Sequence, residues 1–410
     1  MSEWVNRKLR EVGTLERGRS RHRPRYAFHL YNGPYPFIQT GEVRAASKYI
    51  NSYENTYSED GLKQSKLWPK GTLCITIAAN IAELAILDFD ACFPDSVLGF
   101  LPDTTKTSVD FVFYTLRHYQ KTLKHIGEGS VQDNINLGTF ENIEFPFPPI
   151  SEQKSIASVL SALDDKINLL HRQNKTLESM AETLFRQWFI EEAQADWEIT
   201  TLDCHITVAK GLSYKGAGLT TSDNGIPLFS LNSVLEGGGY KSAGIKYYNG
   251  DFKERHIIKH GDIIVANTEQ GHEYRLIGYP AIIPTTKSKL SIYTHHLFKV
   301  SINDDSYLTN YFMYYLLCSK DMHEQVVAAT NGSTVNQLSA DGLQRPEFKL
   351  PPECMVKKFT TQITSFWEKI SINNSQIKNI ESLRDTLLPK LLSGEVRVKY
   401  AEEEIAAMQE

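Results

Sequence analysis

Cysteine is scarce and scattered in this chain. Its five cysteines, at positions 74, 92, 204, 318 and 354, include no Cys-x-x-Cys pair. That pattern excludes a disulfide scaffold and a zinc ribbon, and it fits a reducing compartment. Long apolar runs are missing too. The most hydrophobic stretch, Leu73 to Leu87, is broken by Asn80 and Glu83 and falls short of the ~20 residues a bilayer span needs. The start, Met1-Ser2-Glu3-Trp4, is polar and lacks signal-peptide character. A soluble, cytoplasmic protein with no membrane partner is expected. Excess positive charge is also absent, the net charge being −5 at pH 7. The charge is uneven, however: residues 1–30 carry eight Arg/Lys against three Glu, and residues 401–410 carry four Glu. Nucleic-acid binding depends on a local basic surface, so an acidic total does not exclude it.

Catalytic motifs are lacking as well. No Asn-Pro-Pro-Tyr or Asp-Pro-Pro-Tyr occurs, the motif with which amino-methyltransferases grip a flipped base; Pro148-Pro149 and Pro351-Pro352 follow Phe147 and Leu350. Neither a phosphate loop nor a GxGxxG after a strand is present. His256 and His260 stand four apart, but no Glu follows the first, so a strand edge or loop is expected rather than a metal site. Spacing alone assigns no Ser/His/Asp constellation. The chain reads as a non-enzyme with no catalytic residues, metal or cofactor of its own.

What the chain does contain is a repeat. Gly129-Ser130, Asn134-Ile135, Glu144-Phe145, Pro148-Pro149, Leu177-Glu178-Ser179-Met180 and Leu184-Phe185 recur 203 residues later (332 − 129). Their counterparts are Gly332-Ser333, Gln337-Leu338, Glu347-Phe348, Pro351-Pro352, Ile380-Glu381-Ser382-Leu383 and Leu387-Leu388. Upstream the match is weaker and the offset drifts: Trp4 and Gly18 pair with Trp197 and Gly211, and Gly71 with Gly261. Two copies of one unit imply pseudo-twofold symmetry, which suits a target with its own approximate dyad, such as duplex DNA. Apolar runs such as Leu73–Thr76 and Ile263–Ala266 read as buried strands between turns. The expected fold class is α/β (α+β). Two mixed globular domains, 1–150 and 196–351, alternate with two long helices, 151–195 and 352–400, ahead of an acidic tail, 401–410.

Both helices carry a heptad seam. In the first it runs Ile156, Leu160, Leu163, Ile167, Leu170, Asn174, Leu177, Ala181, Leu184, Trp188. The second repeats it from Phe359 through Asn373 to Arg384, Leu387 and Leu391. Ser151 is the expected N-cap of the first helix, and Pro389 is expected to kink or end the second. An antiparallel coiled coil in full overlap sets positions summing to 547 opposite each other, so Asn174 meets Asn373 and each amide satisfies the other. A one-heptad slip would bury each against an apolar partner, at roughly 1–3 kcal/mol per unmet group. Leu163 then faces Arg384, whose guanidinium is expected to snorkel outward. The coil would be about 50 Å long and hold two heads on the order of one to one and a half turns of B-DNA apart.

Candidate nucleic-acid contacts lie in the globular parts. Arg17, Arg19, Arg21, Arg23 and Arg25 alternate, and an extended segment would project them to one side as a comb of donors for phosphates or guanine edges. A solvated, flexible loop is the bland alternative. Gly129-Ser130 after Lys124-His125, and Gly332-Ser333 after Asn331, read as tight turns offering N–H groups and a hydroxyl to phosphate, or as a shared structural turn. Gln39 and Thr40 in the first half, and Ser230 and Asn232 in the second, sit past a strand where polar side chains reach base edges. Lys210 joins them. His295-His296 either meets DNA or merely ends a strand.

Taken together, two variable globular regions, each followed by a near-identical helix, resemble the specificity subunits of type I restriction-modification systems. The helix entrance Phe-Pro-Pro-Ile-Ser-Glu-Gln-Lys (147–154) and the closing Leu-Leu-Pro-Lys-Leu-Leu-Ser-Gly-Glu-Val (387–396) carry most of the likeness. Glu353-Cys354-Met355-Val356 departs from it by lacking the Glu-Gln of 152–153. The resemblance implies that each globular region is a target recognition domain reading one half of a bipartite, asymmetric site in double-stranded DNA. It implies that the helices dock two modification subunits, which supply S-adenosylmethionine binding and adenine N6 methylation. Two restriction subunits would add ATP-driven translocation and cleavage where they accompany them. Two alternatives stay open: a self-contained methyltransferase or nuclease, against which the missing motifs weigh, and a coiled-coil scaffold without DNA specificity.

Overall fold

A computed structural model describes residues 4–398 except 23, 79–80, 129–137, 139–141, 272, 287 and 333–334. The chain divides into two compact units, Met1–Leu169 with Ile377–Glu410, and Leu170–Gln376. The division falls inside both long helices, so each unit is a globular part plus one stretch of each helix. Among the described residues no helix is long and apolar enough to cross a membrane.

In the first unit, Leu73–Thr76 and Leu84–Leu87 are buried at every position, as strands covered on both faces require. They sit in a five-stranded sheet ordered Gly13–Arg17, Val97–Pro102, Leu73–Thr76, Leu84–Leu87, Tyr49–Ile50. A four-stranded sheet runs Asn55–Tyr57, Tyr31–Phe37, Ala91–Cys92, Leu67–Trp68. A short ribbon pairs Val5–Arg7 with Phe145–Phe147, just ahead of the first long helix. The core joins Phe100, Phe111 and Phe145 to Leu160 on that helix and to Leu387 and Leu391 on the second.

The second unit repeats this plan. Its sheet order Ile206–Lys210, Leu297–Ile302, Ile263–Ala266, Pro280–Ile282 matches the first four strands above, and its ribbon pairs Ile199–Thr201 with Glu347–Lys349. A five-stranded sheet runs Leu219–Thr220, Ile245–Tyr248, Ile226–Phe229, Ser291–Tyr293, Ile257–Ile258. Gly71 and Gly261 occupy the same turn at φ +85° and +86°, a region that favours glycine.

The long helices span Ile150–Arg186, continued by a π turn at Gln187–Glu191, and Glu353–Leu392. Ser151 lies inside the first turn rather than at the cap, since helical bonding starts with the Gln153 N–H on the Pro149 carbonyl at 3.0 Å. Pro389 does not end the second helix. The chain stays helical to Leu392, where Leu391 and Leu392 are buried, and it turns at Gly394, φ +74°. The lost N–H bond is confined to the last turns, where packing outweighs it.

Within each unit the two helical stretches run antiparallel. In the first, Glu152 pairs with Arg397 and Asp164 with Arg384. Arg384 does not snorkel outward: it lies 2.8 Å from Asp164, and their side chains are only 12% and 7% exposed. Asp164, the neighbour of Leu163, offers a buried carboxylate that also accepts the Tyr114 hydroxyl at 2.7 Å. In the second unit Asn373 donates to Asn174 Oδ1 at 2.8 Å. The exchange is not mutual, because Asn174 donates instead to Asn374 at 2.9 Å, which leaves the buried Asn373 Oδ1 without a hydrogen-bond partner among the described residues. Phe359, fully buried, packs against Phe185 and Phe189 with centroids 5.7 and 5.2 Å away.

The helix entrances differ in a revealing way. Gln153 donates to the Pro148 carbonyl at 2.8 Å and accepts the Thr107 hydroxyl at 2.8 Å. The repeat puts Val356 at its place in the second unit, where it is fully buried. There the Tyr307 hydroxyl donates to the Pro351 carbonyl at 2.7 Å, doing the work of the missing glutamine.

Candidate nucleic-acid interface

One joint is built twice. In the first unit the strand Gly13–Arg17 ends and the chain crosses the Phe93–Val97 loop, with the Gly18 N–H on the Val97 carbonyl and the Arg19 N–H on the Phe93 carbonyl, at 2.9 and 3.0 Å. In the second, the strand Ile206–Lys210 ends likewise. The Gly211 N–H meets the Leu297 carbonyl and the Leu212 N–H the Tyr293 carbonyl, at 3.3 and 2.8 Å. A Cβ at Gly18 would stand 2.4 Å from the Phe93 and Pro94 carbonyl oxygens, and one at Gly211 2.3 Å from that of Thr294. Neither joint admits a side chain there. The frame is shared while the residues it displays differ: Arg17, Arg19 and Asp95 in one unit, Lys210, His295 and His296 in the other.

The second unit's joint gathers polar groups from several elements. The His295 and His296 rings lie 3.9 Å apart. His296 Nδ1 is 3.0 Å from the Thr268 hydroxyl, and the Asn267 amide donates to the His295 carbonyl at 3.1 Å. Burial pushes the His296 pKa below the ordinary histidine value, and the nearby His295, Lys210 and Lys246 push it further. A neutral imidazole keeps one acceptor and one donor, the equipment for a base edge rather than a phosphate. Lys246 donates to the Tyr214 hydroxyl at 2.8 Å and lies over its ring. The Thr294 hydroxyl and His295 Nδ1 are buried without a hydrogen-bond partner among the described residues. Lys246, Tyr214 and Thr268 were not singled out by the sequence. The alternation of Ile245–Tyr248 could have flagged Lys246, but its approach to Tyr214, 32 residues away, is tertiary.

In the first unit, Arg17, Arg19 and Arg21 are exposed, but they do not form one straight comb. The strand stops at Arg17, and the Gln64 side-chain amide oxygen accepts the N–H groups of Arg21 and His22 at 2.6 and 3.0 Å, bending the segment. Arg25 is turned aside into an ion pair with Asp95 at 2.9 Å. Gln39 and Thr40 open a short helix, where the Gln39 N–H donates to Glu42 at 3.1 Å. Lys124 is paired with Glu83 at 2.8 Å.

Ser230 cannot serve as a base reader: it is 7% exposed, and its hydroxyl donates to the Gly244 carbonyl at 2.7 Å. Strand-end periodicity could not show that the following turn folds back over it. Asn232 is exposed in the next helical turn and Lys210 at the end of its strand. Asn331 pairs by its backbone with Gln337, at 2.9 and 2.8 Å, and Gly332 turns the chain at φ +132°. Arg23, Gly129, Ser130 and Ser333 lie outside the described residues. His256 and His260 are engaged separately, His256 Nδ1 accepting the Lys253 N–H and His260 meeting the Ile283 carbonyl.

Comparison with known proteins fits this two-headed plan. Residues 1–179 match the family model described as the type I restriction modification DNA specificity domain. The chain is 26% identical to the type I restriction enzyme MjaIX specificity subunit of Methanocaldococcus jannaschii, over 97% of this chain and 94% of that one. It is 22% identical to the type I restriction enzyme HindI specificity subunit of Haemophilus influenzae, over 97% and 100%. In fold it is similar to the crystal structure of the type I restriction-modification S subunit from M. genitalium, with TM-score 0.57, 15% identity and coverage of 95% and 96%.

Proposed function

The chain belongs to the specificity subunits of type I restriction-modification systems, the non-catalytic members of those complexes, and from that premise we propose how it works. Each unit reads one half of a bipartite, asymmetric site in double-stranded DNA. The long helices set the gap between the half-sites and dock two modification subunits, which methylate adenine at N6. Where the system includes restriction subunits, they join the same assembly. The observation that carries this reading is the joint built twice with different contents. A shared frame places both displays at the same point of the fold, while Arg17 and Arg19 in one and Lys210, His295 and His296 in the other suit unlike half-sites. Among the first unit's candidates, Arg17, Arg19 and Arg21 supply phosphate or guanine contacts. In the second unit, Lys210 and Lys246 hold phosphates beside the histidine pair.

The test is co-expression with the modification subunit from the same source, followed by genome-wide mapping of N6-methyladenine. One split motif with two unlike halves and a fixed gap is expected. A stable complex that methylates nothing would refute the recognition heads. No complex and no motif would return the chain to a scaffold without DNA specificity.

A further inference from the structure

The two most exposed large apolar side chains among the described residues stand two positions apart, Tyr26 at 80% and Phe28 at 85% exposure. Isolated exposed apolar residues are ordinary, but these occupy a turn whose backbone is fastened at both feet. On the near side, the Arg19 carbonyl accepts the Ser65 hydroxyl at 2.8 Å, and Gln64 holds the N–H groups of Arg21 and His22. Arg25 is clamped by both oxygens of Asp95, at 2.9 and 3.3 Å, while its carbonyl accepts the Tyr31 hydroxyl at 3.2 Å. On the far side, the His29 carbonyl accepts the Ser58 hydroxyl at 2.6 Å, and the Leu30 carbonyl accepts the Ser58 N–H at 2.8 Å. Leu30 itself is buried. The turn is anchored on both sides, and its two rings stand in the open.

Charge indicates what the turn faces. From Arg17 to Tyr31 the chain has five arginines and two histidines and no acidic residue. Three acids on flanking elements are paired, Glu16 with Lys66, Asp60 with Lys63 and Asp95 with Arg25, and Glu59 accepts the Tyr35 hydroxyl. Two flat rings displayed on an anchored turn within a cationic segment match a polyanion whose interior is a stack of flat rings. Aromatic side chains gain from stacking on any base, and apolar wedges at a duplex step unstack and kink it.

We propose that Tyr26 and Phe28 form an aromatic wedge that stacks on bases at an opened step of duplex DNA, in the half-site held by the first unit. This rests on the DNA-reading role proposed above. The arginines draw the backbone in, and the anchored turn leaves less backbone to order on insertion, which lowers its cost.

The experiment uses the full chain assembled with its modification subunits, and duplexes carrying the mapped site with 2-aminopurine at successive positions. For the wild type, fluorescence rises at a position within one half-site only. In Tyr26→Ala/Phe28→Ala that rise is lost and the Kd increases by roughly 5- to 150-fold per ring removed. Tyr26→Phe and Phe28→Tyr keep both, because stacking needs the ring and not the hydroxyl. An alanine variant that assembles and still binds with wild-type affinity and fluorescence overturns the wedge. So does one that fails to assemble in the absence of DNA, which would assign the rings to a protein contact. A wild-type assembly with no sequence preference would overturn the DNA-reading role itself, a result separable from both. Circular dichroism melts of the alanine variant should match the wild type, both side chains being exposed.

Discussion

Replacing Arg384 with leucine should strand a carboxylate inside the first unit. The side chain of Asp164 is 7% exposed, and its partners are the Arg384 guanidinium at 2.8 Å and the Tyr114 hydroxyl at 2.7 Å. The hydroxyl cannot replace a charge, so Arg384→Leu leaves a buried anion uncompensated, at about 3–5 kcal/mol. Converting Asp164 to Asn as well removes the charge and keeps an acceptor for Tyr114. The double variant should therefore recover most of the loss and end within about 1–2 kcal/mol of wild type. Urea unfolding of the full chain by circular dichroism, fitted for the transition of the first unit, measures both. The reasoning is refuted if Arg384→Leu and the double variant unfold within about 0.5 kcal/mol of each other, since removing the stranded charge would then have rescued nothing.

Other expectations concern the helix layer, the joints and pH. Asn174→Leu/Asn373→Leu removes a buried layer in which Asn373 Oδ1 has no partner among the described residues, so thermal melting should rise, while disulfide trapping across the helices should reveal registers the wild type does not form. Gly18→Ala and Gly211→Ala each drive a Cβ to within 2.4 Å of backbone carbonyls and should cost about 1–3 kcal/mol in chemical denaturation, more than alanine costs at an exposed glycine. Burial and cationic neighbours depress the His296 pKa. The unfolded chain therefore takes up the proton first, and stability is lost as pH falls from the ordinary value of 6.5 through the folded one. His296→Gln should flatten that decline in melts taken between about pH 5 and 8, and an unchanged slope would show that this ring is not its source.

Much of this could be read without coordinates, because some signals are local and periodic. The heptad seams mark residues that face one way on a helix whatever lies opposite, and an apolar run such as Leu73–Thr76 marks a buried strand. The repeated Gly71 and Gly261 mark the same positive-φ turn. The absence of catalytic motifs is likewise a property of the string. Side-chain fate was not legible. Arg384 was expected in solvent because heptad spacing sees Leu163 opposite it but not the inward turn of Asp164, and Ser230 looked available until Gly244 folded over it.

The sequence by itself therefore determined the duplicated plan, the two long helices and the basic segment from Arg17 to Arg25, all of which depend on residues near one another in the chain. Only the tertiary structure decided which polar groups are already satisfied. Lys48 reaches Asp110 and Ser161 in the core of the first unit, Tyr307 stands in for a missing glutamine, and Lys246 meets Tyr214 beside the histidine pair. A hydrogen bond acts over about 3 Å, and no spacing along the chain reports which distant residues folding brings that close.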